Sequence, residues 1–166
     1  MTQMLNKVLL LLICMVSFAC QALPSDSEQE ISIESDKASL NKLQGELIYT
    51  GNVELTQGSL TIQADKVTLT RNQDGIQQLV ALGKPARYEQ LLSANEDKTQ
   101  AYGETIIYNI INDELTLLTN AGLEKQGNVF AGEKIVYLIK EQRVKADSSK
   151  QERVRMVIQP KTDKEP

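Results

Sequence analysis

The sequence predicts an all-β chain of short antiparallel strands, on three observations. A short acidic motif recurs four times and changes its inward face at its centre. Turn signals often stand only 6 to 12 residues apart. Past residue 22 no segment has convincing helical periodicity, with room only for a brief turn of helix near 39–43.

The motif reads Ile33-Glu34-Ser35-Asp36-Lys37-Ala38-Ser39-Leu40 and returns as Ile62-Gln63-Ala64-Asp65-Lys66-Val67-Thr68-Leu69. Ala101-Tyr102-Gly103-Glu104-Thr105-Ile106-Ile107-Tyr108 and Phe130-Ala131-Gly132-Glu133-Lys134-Ile135-Val136-Tyr137 complete the set. The acids at 36, 65, 104 and 133 are spaced by 29, 39 and 29 residues, and alternate ones by 68, so the chain holds a doubled unit. Such self-similarity is the mark of a repeated architecture. In the first copy the buried-type residues sit at 33 and 35, then at 38 and 40, and the other copies make the same switch of parity. Strand side chains alternate faces, so one extra residue flips all that follow. Keeping one face inward therefore requires a bulge or corner, and a small residue precedes the acid each time. Four sheet corners are expected, each acid accepting hydrogen bonds from backbone amides freed there.

In chain order, residues 1–22 form a secretory signal peptide. Lys7 opens it, 8–18 are nearly all apolar, and Cys20-Gln21-Ala22 resembles a small-x-small cleavage site. Its apolar run is too short to span a bilayer. Acylation at Cys20 is the alternative, though Ser17 and Phe18 fit that processing poorly. Residues 23–30 are a flexible N-terminal segment, 31–160 the folded domain and 161–166 a polar tail. The domain is cut by Gly51-Asn52, Gly58, Asn72 to Gly75, Gly83-Lys84-Pro85, Asn95 to Asp97, Asn112-Asp113, Asn120 to Gly122, Gly127-Asn128 and Asp147 to Lys150. About fifteen strands are expected.

Composition removes several chemistries. Both cysteines, Cys14 and Cys20, leave with the signal, and the chain has no histidine. The mature chain then has no disulfide, thiolate metal site or cysteine nucleophile, and it lacks the commonest general base. All 22 acids and 17 of the 18 bases remain, a net charge of −5, with no tryptophan and no basic cluster. Nucleic acid is not an expected partner. The regular spacing of the four acids speaks against a catalytic pair, which needs two carboxylates of different environment converging on one bond. No phosphate loop, dinucleotide fingerprint or supported serine–lysine pair is present. No enzyme activity, cofactor or metal is expected.

The first strand at Ile31 and Ile33 and the last at 153–159, with Val154, Met156 and Ile158, are expected to form the two edges. Arg153 and Arg155 can blunt one edge against pairing, or the edges can accept another molecule by strand addition. The apolar stripe along the strands reads first as an ordinary sandwich core. Scarce aromatics and mid-sized residues along the whole array would also suit an open lipid groove.

Five strings carry a resemblance: Ile31-Ser-Ile-Glu-Ser-Asp36, Tyr49-Thr-Gly-Asn-Val53, Gln63-Ala-Asp-Lys-Val67, Gly83-Lys-Pro-Ala86 and Tyr137-Leu-Ile-Lys-Glu-Gln142. In this order, over about 31–160, the chain resembles the LptA family of periplasmic lipopolysaccharide export proteins, with OstA-like domains. The stretches 91–100 and 120–128 match least well. The resemblance implies a twisted β-jellyroll open along one side. It implies a periplasmic protein that takes lipopolysaccharide from an inner-membrane ATP-driven complex to an outer-membrane translocon. It further implies head-to-tail stacking with itself and with LptC-like and LptD-like jellyroll domains. The groove residues it points to are Ile31, Ile33, Leu47, Tyr49, Ile62, Leu69, Tyr88, Ile106, Tyr108, Phe130 and Tyr137, with Arg71 at the rim meeting a phosphate. Two other readings stand beside the carrier: a self-assembling structural β-repeat protein of the envelope, and, weakest, a secreted carbohydrate-active enzyme. A dry, closed interior favours the structural reading, and an open apolar groove with a basic rim favours the carrier.

Overall fold

The computed structural model describes residues 26–92, 98–148 and 153–160. The segments expected to be a signal peptide, 1–22, and a polar tail, 161–166, lie outside the described residues. A single 3-10 turn (Asp26–Glu28) precedes ten strands: β1 (Ile31–Glu34), β2 (Lys37–Asn41), β3 (Glu46–Gln57), β4 (Leu60–Asn72), β5 (Gly75–Gln90), β6 (Thr99–Asn109), β7 (Glu114–Lys125), β8 (Asn128–Leu138), β9 (Arg143–Asp147) and β10 (Arg155–Val157). They form one antiparallel sheet in the order β1-β3-β4-β5-β6-β7-β8-β10, with β2 also on β3 and β9 also on β8.

Among the described residues the expected fifteen strands are thus ten, because the chain bends at the corners instead of breaking. Apart from one between Thr70 and Arg71 near the end of β4, register shifts fall at one level across the sheet. They lie between Thr50 and Val53 in β3, Gln63 and Lys66 in β4, Leu82 and Ala86 in β5, Tyr102 and Thr105 in β6, and Leu118 and Ala121 in β7. Asp36 sits at the same level, between β1 and β2, which pair with the two halves of β3. Each extra residue there keeps the same face inward on both sides of the bend. The sheet is therefore folded on itself into two layers joined along the corner line. Hairpin turns lie at the opposite, open margin. The segment near 39–43, expected as a possible helical turn, is strand as far as Asn41.

The layers face each other through an apolar stripe. Val53, Leu55, Leu60, Ile62, Tyr88, Ala101 and Leu123 come from one, and Val67, Leu69, Leu79, Ile106, Leu115, Leu117, Ile135 and Tyr137 from the other, all buried. The rings of Tyr88 and Tyr108 meet edge-on across the gap, centroids 6.5 Å apart at 66°. Such a pair adds to the burial already gained by each ring.

Three of the four corner acids, Asp36, Glu104 and Glu133, accept hydrogen bonds at the bends, but not from the partners expected. Asp36 accepts from Asn52 Nδ2 at 3.0 Å, and Glu104 accepts from Asn120 Nδ2 at 2.8 Å. Glu133 lies 3.4 Å from the Thr119 hydroxyl that donates to it. The donors are side chains of the facing corner, where backbone amides were expected. Asn52 and Asn120 each stand 16 residues after their acid, so the repeat extends to this bond. Between them, Gly51 has φ +83, and any Cβ there would collide with Asp36 Oδ2. Gly51→Ala is expected to lower stability by about 1–3 kcal/mol through that collision and the left-handed backbone, measured by urea unfolding. Unchanged stability would mean that the first corner is not rigid.

Candidate functional site

The interior offers little empty space at its centre. Ile62, Tyr88, Ile106 and Tyr137, all expected in the groove, are 0 % exposed and packed in the core, with Leu69 and Tyr108 nearly so. Ile31, Ile33, Leu47, Tyr49 and Phe130 are half-buried against that core. Arg71 is exposed near the end of β4, at the open margin, its backbone amide bonded to Gly45 at 2.9 Å. The predicted residues thus line one continuous apolar interior, and most of it is closed by contact between the layers.

Space opens at the margin. A cavity of about 180 Å³ is lined by Ile31, Gln57, Leu60 and Gln90 of the first layer and by Ile76, Tyr108 and Ile110 of the second. Asp26 is part of its wall. The apolar members come from the core stripe, whereas the polar ones stand at strand ends, where the interior meets water.

A polar chain runs through this mouth. Tyr88 Oη donates to Gln90 Oε1, and Gln90 Nε2 donates to Asp26 Oδ2 at 2.7 Å. The Ser59 hydroxyl and amide donate to Asp26 Oδ2 and Oδ1 at 2.6 and 2.8 Å. Burial alone pushes the Asp26 carboxyl up, but the bonds from the Ser59 side chain, the Ser59 amide and Gln90 outweigh it and hold the carboxyl below the usual carboxylate range. Burial raises the Tyr88 and Tyr108 hydroxyls well above the ordinary phenol range, with nearby acids adding to it. Both therefore remain protonated donors, Tyr108 toward Asp113 at 3.2 Å. At the far end of the mouth, Lys125 Nζ donates to Tyr137 Oη at 3.0 Å across the layers.

The segment 23–30, expected to be a flexible lead-in, thus contributes a docked turn at Asp26–Glu28. Asp26, Ser59 and Gln90 were missed because they belong to none of the four motif copies. Their only signal was a polar residue on the inward parity at a strand end, as with Gln90 two residues after Tyr88.

The two ends of the folded sheet are open in a different way. At one end β1 exposes its outer edge, with Ile31 and Ile33 turned inward. At the other, Met156 pairs with Phe130 and lies on its inward face, yet remains 51 % exposed, and Ile158 is 65 % exposed. Val154 and Val157 are exposed as well. Among the described residues, no group of three or more acids or other ligand-type side chains is arranged to hold a metal ion.

Residues 32–143 match the family model described as LptA/(LptD N-terminal domain) LPS transport protein. The chain belongs to this LptA/LptD N-terminal family. It is 42 % identical over 148 residues to the lipopolysaccharide export system protein LptH of Pseudomonas aeruginosa, covering 84 % of this chain and 85 % of that one. It is 37 % identical over 159 residues to the lipopolysaccharide export system protein LptA of Escherichia coli K12, covering 94 % of this chain and 85 % of that one. The Haemophilus influenzae LptA is 35 % identical, with 93 % and 92 % covered. The crystal structure of Pseudomonas aeruginosa LptH, the periplasmic component of its transport device, superposes with a TM-score of 0.76 at 40 % identity, covering 82 % of this chain and 100 % of that one. The LptA/LptD N-terminal family is one of transport proteins, not enzymes, and the twisted, open jellyroll expected from sequence is its fold.

Proposed function

We propose that this chain binds lipopolysaccharide by the acyl chains of lipid A, between its two layers. It carries the lipid across the periplasm from the inner-membrane complex to the outer-membrane translocon. In this reading it is one link of a head-to-tail bridge, stacked on its own copies and on LptC-like and LptD-like jellyroll domains. Membership of a lipopolysaccharide transport family carries the proposal. The cavity at the mouth of a continuous apolar interior, lined by apolar and polar residues together, supports it.

The physical logic is an exchange of contacts. Each acyl CH₂ withdrawn from water is worth about 0.8 kcal/mol. The interior that receives it is already packed, so entry requires the layers to part and forfeit some of their own contacts. The net affinity is the difference, which suits a carrier that must also release. The corner line acts as the hinge, and Ile31, Ile33, Leu47, Tyr49, Ile62, Leu69, Tyr88, Ile106, Tyr108, Phe130 and Tyr137 line the path. Arg71, exposed by the mouth, meets a headgroup phosphate as the lipid's sugar remains in water.

The closed centre is also what a purely structural, self-assembling envelope protein would have. Photocrosslinking separates the two readings. A photoreactive residue at Ile33 or at Tyr108 is expected to capture lipopolysaccharide in cells. One at Glu34, exposed and on the opposite parity of β1, is expected to capture none. Absence of adducts at both inward positions in a folded protein would favour the structural reading.

A further inference from the structure

The docked N-terminal turn closes the mouth with a group unlike the apolar walls around it. Three neutral donors converge on the Asp26 carboxylate: the Ser59 amide, the Ser59 hydroxyl and Gln90 Nε2. Ser59 and Gln90 belong to the folded sheet, whereas Asp26 belongs to the segment before it. Gln29 N–H closes the turn on Asp26 O at 3.0 Å, and Gln57 Nε2 ties the segment to the sheet by donating to Gln29 O at 3.1 Å. Room for the carboxylate exists because residue 58 is glycine, with φ +58; a Cβ there would collide with Asp26 Oδ1.

A second observation points the same way. Thr99 pairs with Gln90 across β5 and β6, on the same face of the sheet. Its hydroxyl is buried, the residue 1 % exposed, and has no hydrogen-bond partner among the described residues. Buried hydroxyls are rarely left so. The wall of the mouth therefore presents one unsatisfied hydroxyl and two donors, the Ser59 amide and Gln90 Nε2, that meet a carboxylate delivered from outside the sheet, while the Ser59 hydroxyl has the Leu91 carbonyl at 3.2 Å as an alternative acceptor.

We propose that Asp26 is a built-in competitor for the ligand. Its carboxylate occupies a cradle of Ser59 and Gln90, beside Thr99, that receives an acceptor oxygen of an acylated glycolipid once the turn lifts away. The proposal rests on the carrier reading, since it assigns the place where the lipid's first polar atoms stop while its chains enter the cavity below. Neutral donors suit an oxygen that need not be charged, such as an ester or amide carbonyl at the root of an acyl chain, and they also accept a phosphate oxygen. The turn then keeps water and stray apolar ligands from the mouth of the empty carrier.

The test measures binding of purified lipid A, and of the same lipid stripped of its phosphates, to the full chain and its variants. Asp26→Ala removes the competitor. Gly58→Asn retains a residue tolerant of the left-handed turn and displaces the carboxylate without altering any donor. Both are expected to bind lipid A at least threefold more tightly than the parent. A Ser59→Ala, Gln90→Leu double variant frees the turn but removes both side-chain donors, leaving only the residue 59 amide, and is expected to bind no more tightly than the parent. Hydrogen exchange at 26–30 is expected to accelerate when lipid A is added to the parent. A gain retained without phosphates assigns the cradle to the acyl linkage, and a gain confined to the phosphorylated lipid assigns it to phosphate. Parent-like or weaker binding by both Asp26→Ala and Gly58→Asn would overturn the competitor while leaving the carrier reading intact. A gain in the double variant equal to that of Asp26→Ala would overturn the cradle. No binding by parent or variants would overturn both the competitor and the carrier.

Discussion

Ile106→Asp is expected to leave little folded protein at 25 °C. Ile106 is fully buried in β6, paired with Ala81 of β5 and Leu117 of β7, themselves fully buried. Two losses combine. Removing the isoleucine side chain forfeits its packing, on the order of 2–5 kcal/mol for comparable truncations. The carboxyl that replaces it has no hydrogen-bonding side chain among these strand neighbours, so it is buried neutral and unpaired at a further cost of roughly 1–3 kcal/mol. Together these approach the whole stability of an ordinary domain, about 5–15 kcal/mol. Leu43 makes the control. It is 100 % exposed in the turn after β2, and Leu43→Asp is expected to change stability by less than about 0.5 kcal/mol. Urea unfolding followed by circular dichroism compares the two. A stably folded Ile106→Asp would mean that the layers already part enough to wet this position, and the closed centre would have to be abandoned.

The second large effect is expected at the β10 end. Met156 faces inward by its register with Phe130, Ile158 follows two residues on, and among the described residues no further strand covers them. An unprotected apolar edge of this kind invites another strand. In the proposed bridge it receives the β1 edge of the next copy, so that Ile31 and Ile33 of that copy extend the apolar interior. A Met156→Asp, Ile158→Asp double variant is expected to weaken self-association at least a hundredfold, about 3 kcal/mol. Both residues are more than half exposed, so the fold itself should hardly notice. Sedimentation velocity over a range of concentrations reads the outcome. Parent-like association by a folded double variant would place the self-contact elsewhere.

What sequence by itself determined here was everything that depends on period and neighbourhood. Alternation marked the strands, and the reversal of parity at 36, 65, 104 and 133 marked the bends, because a two-residue period admits no other way to keep one face inward. The absence of histidine removed the commonest general base without any coordinates. Tertiary structure decided what depends on distance between segments far apart in the chain. Strand number was one such matter, since a bend and a break leave the same local signature, and only the pairing of β3 with both β1 and β2 distinguishes them. The corner partners were another: an acid announces that it will accept hydrogen bonds, but not that Asn52 and Asn120 will supply them. The mouth was the third. Asp26 meets Gln90 from 64 residues away, and no local pattern can announce that a polar lead-in will return across the open margin of the folded sheet.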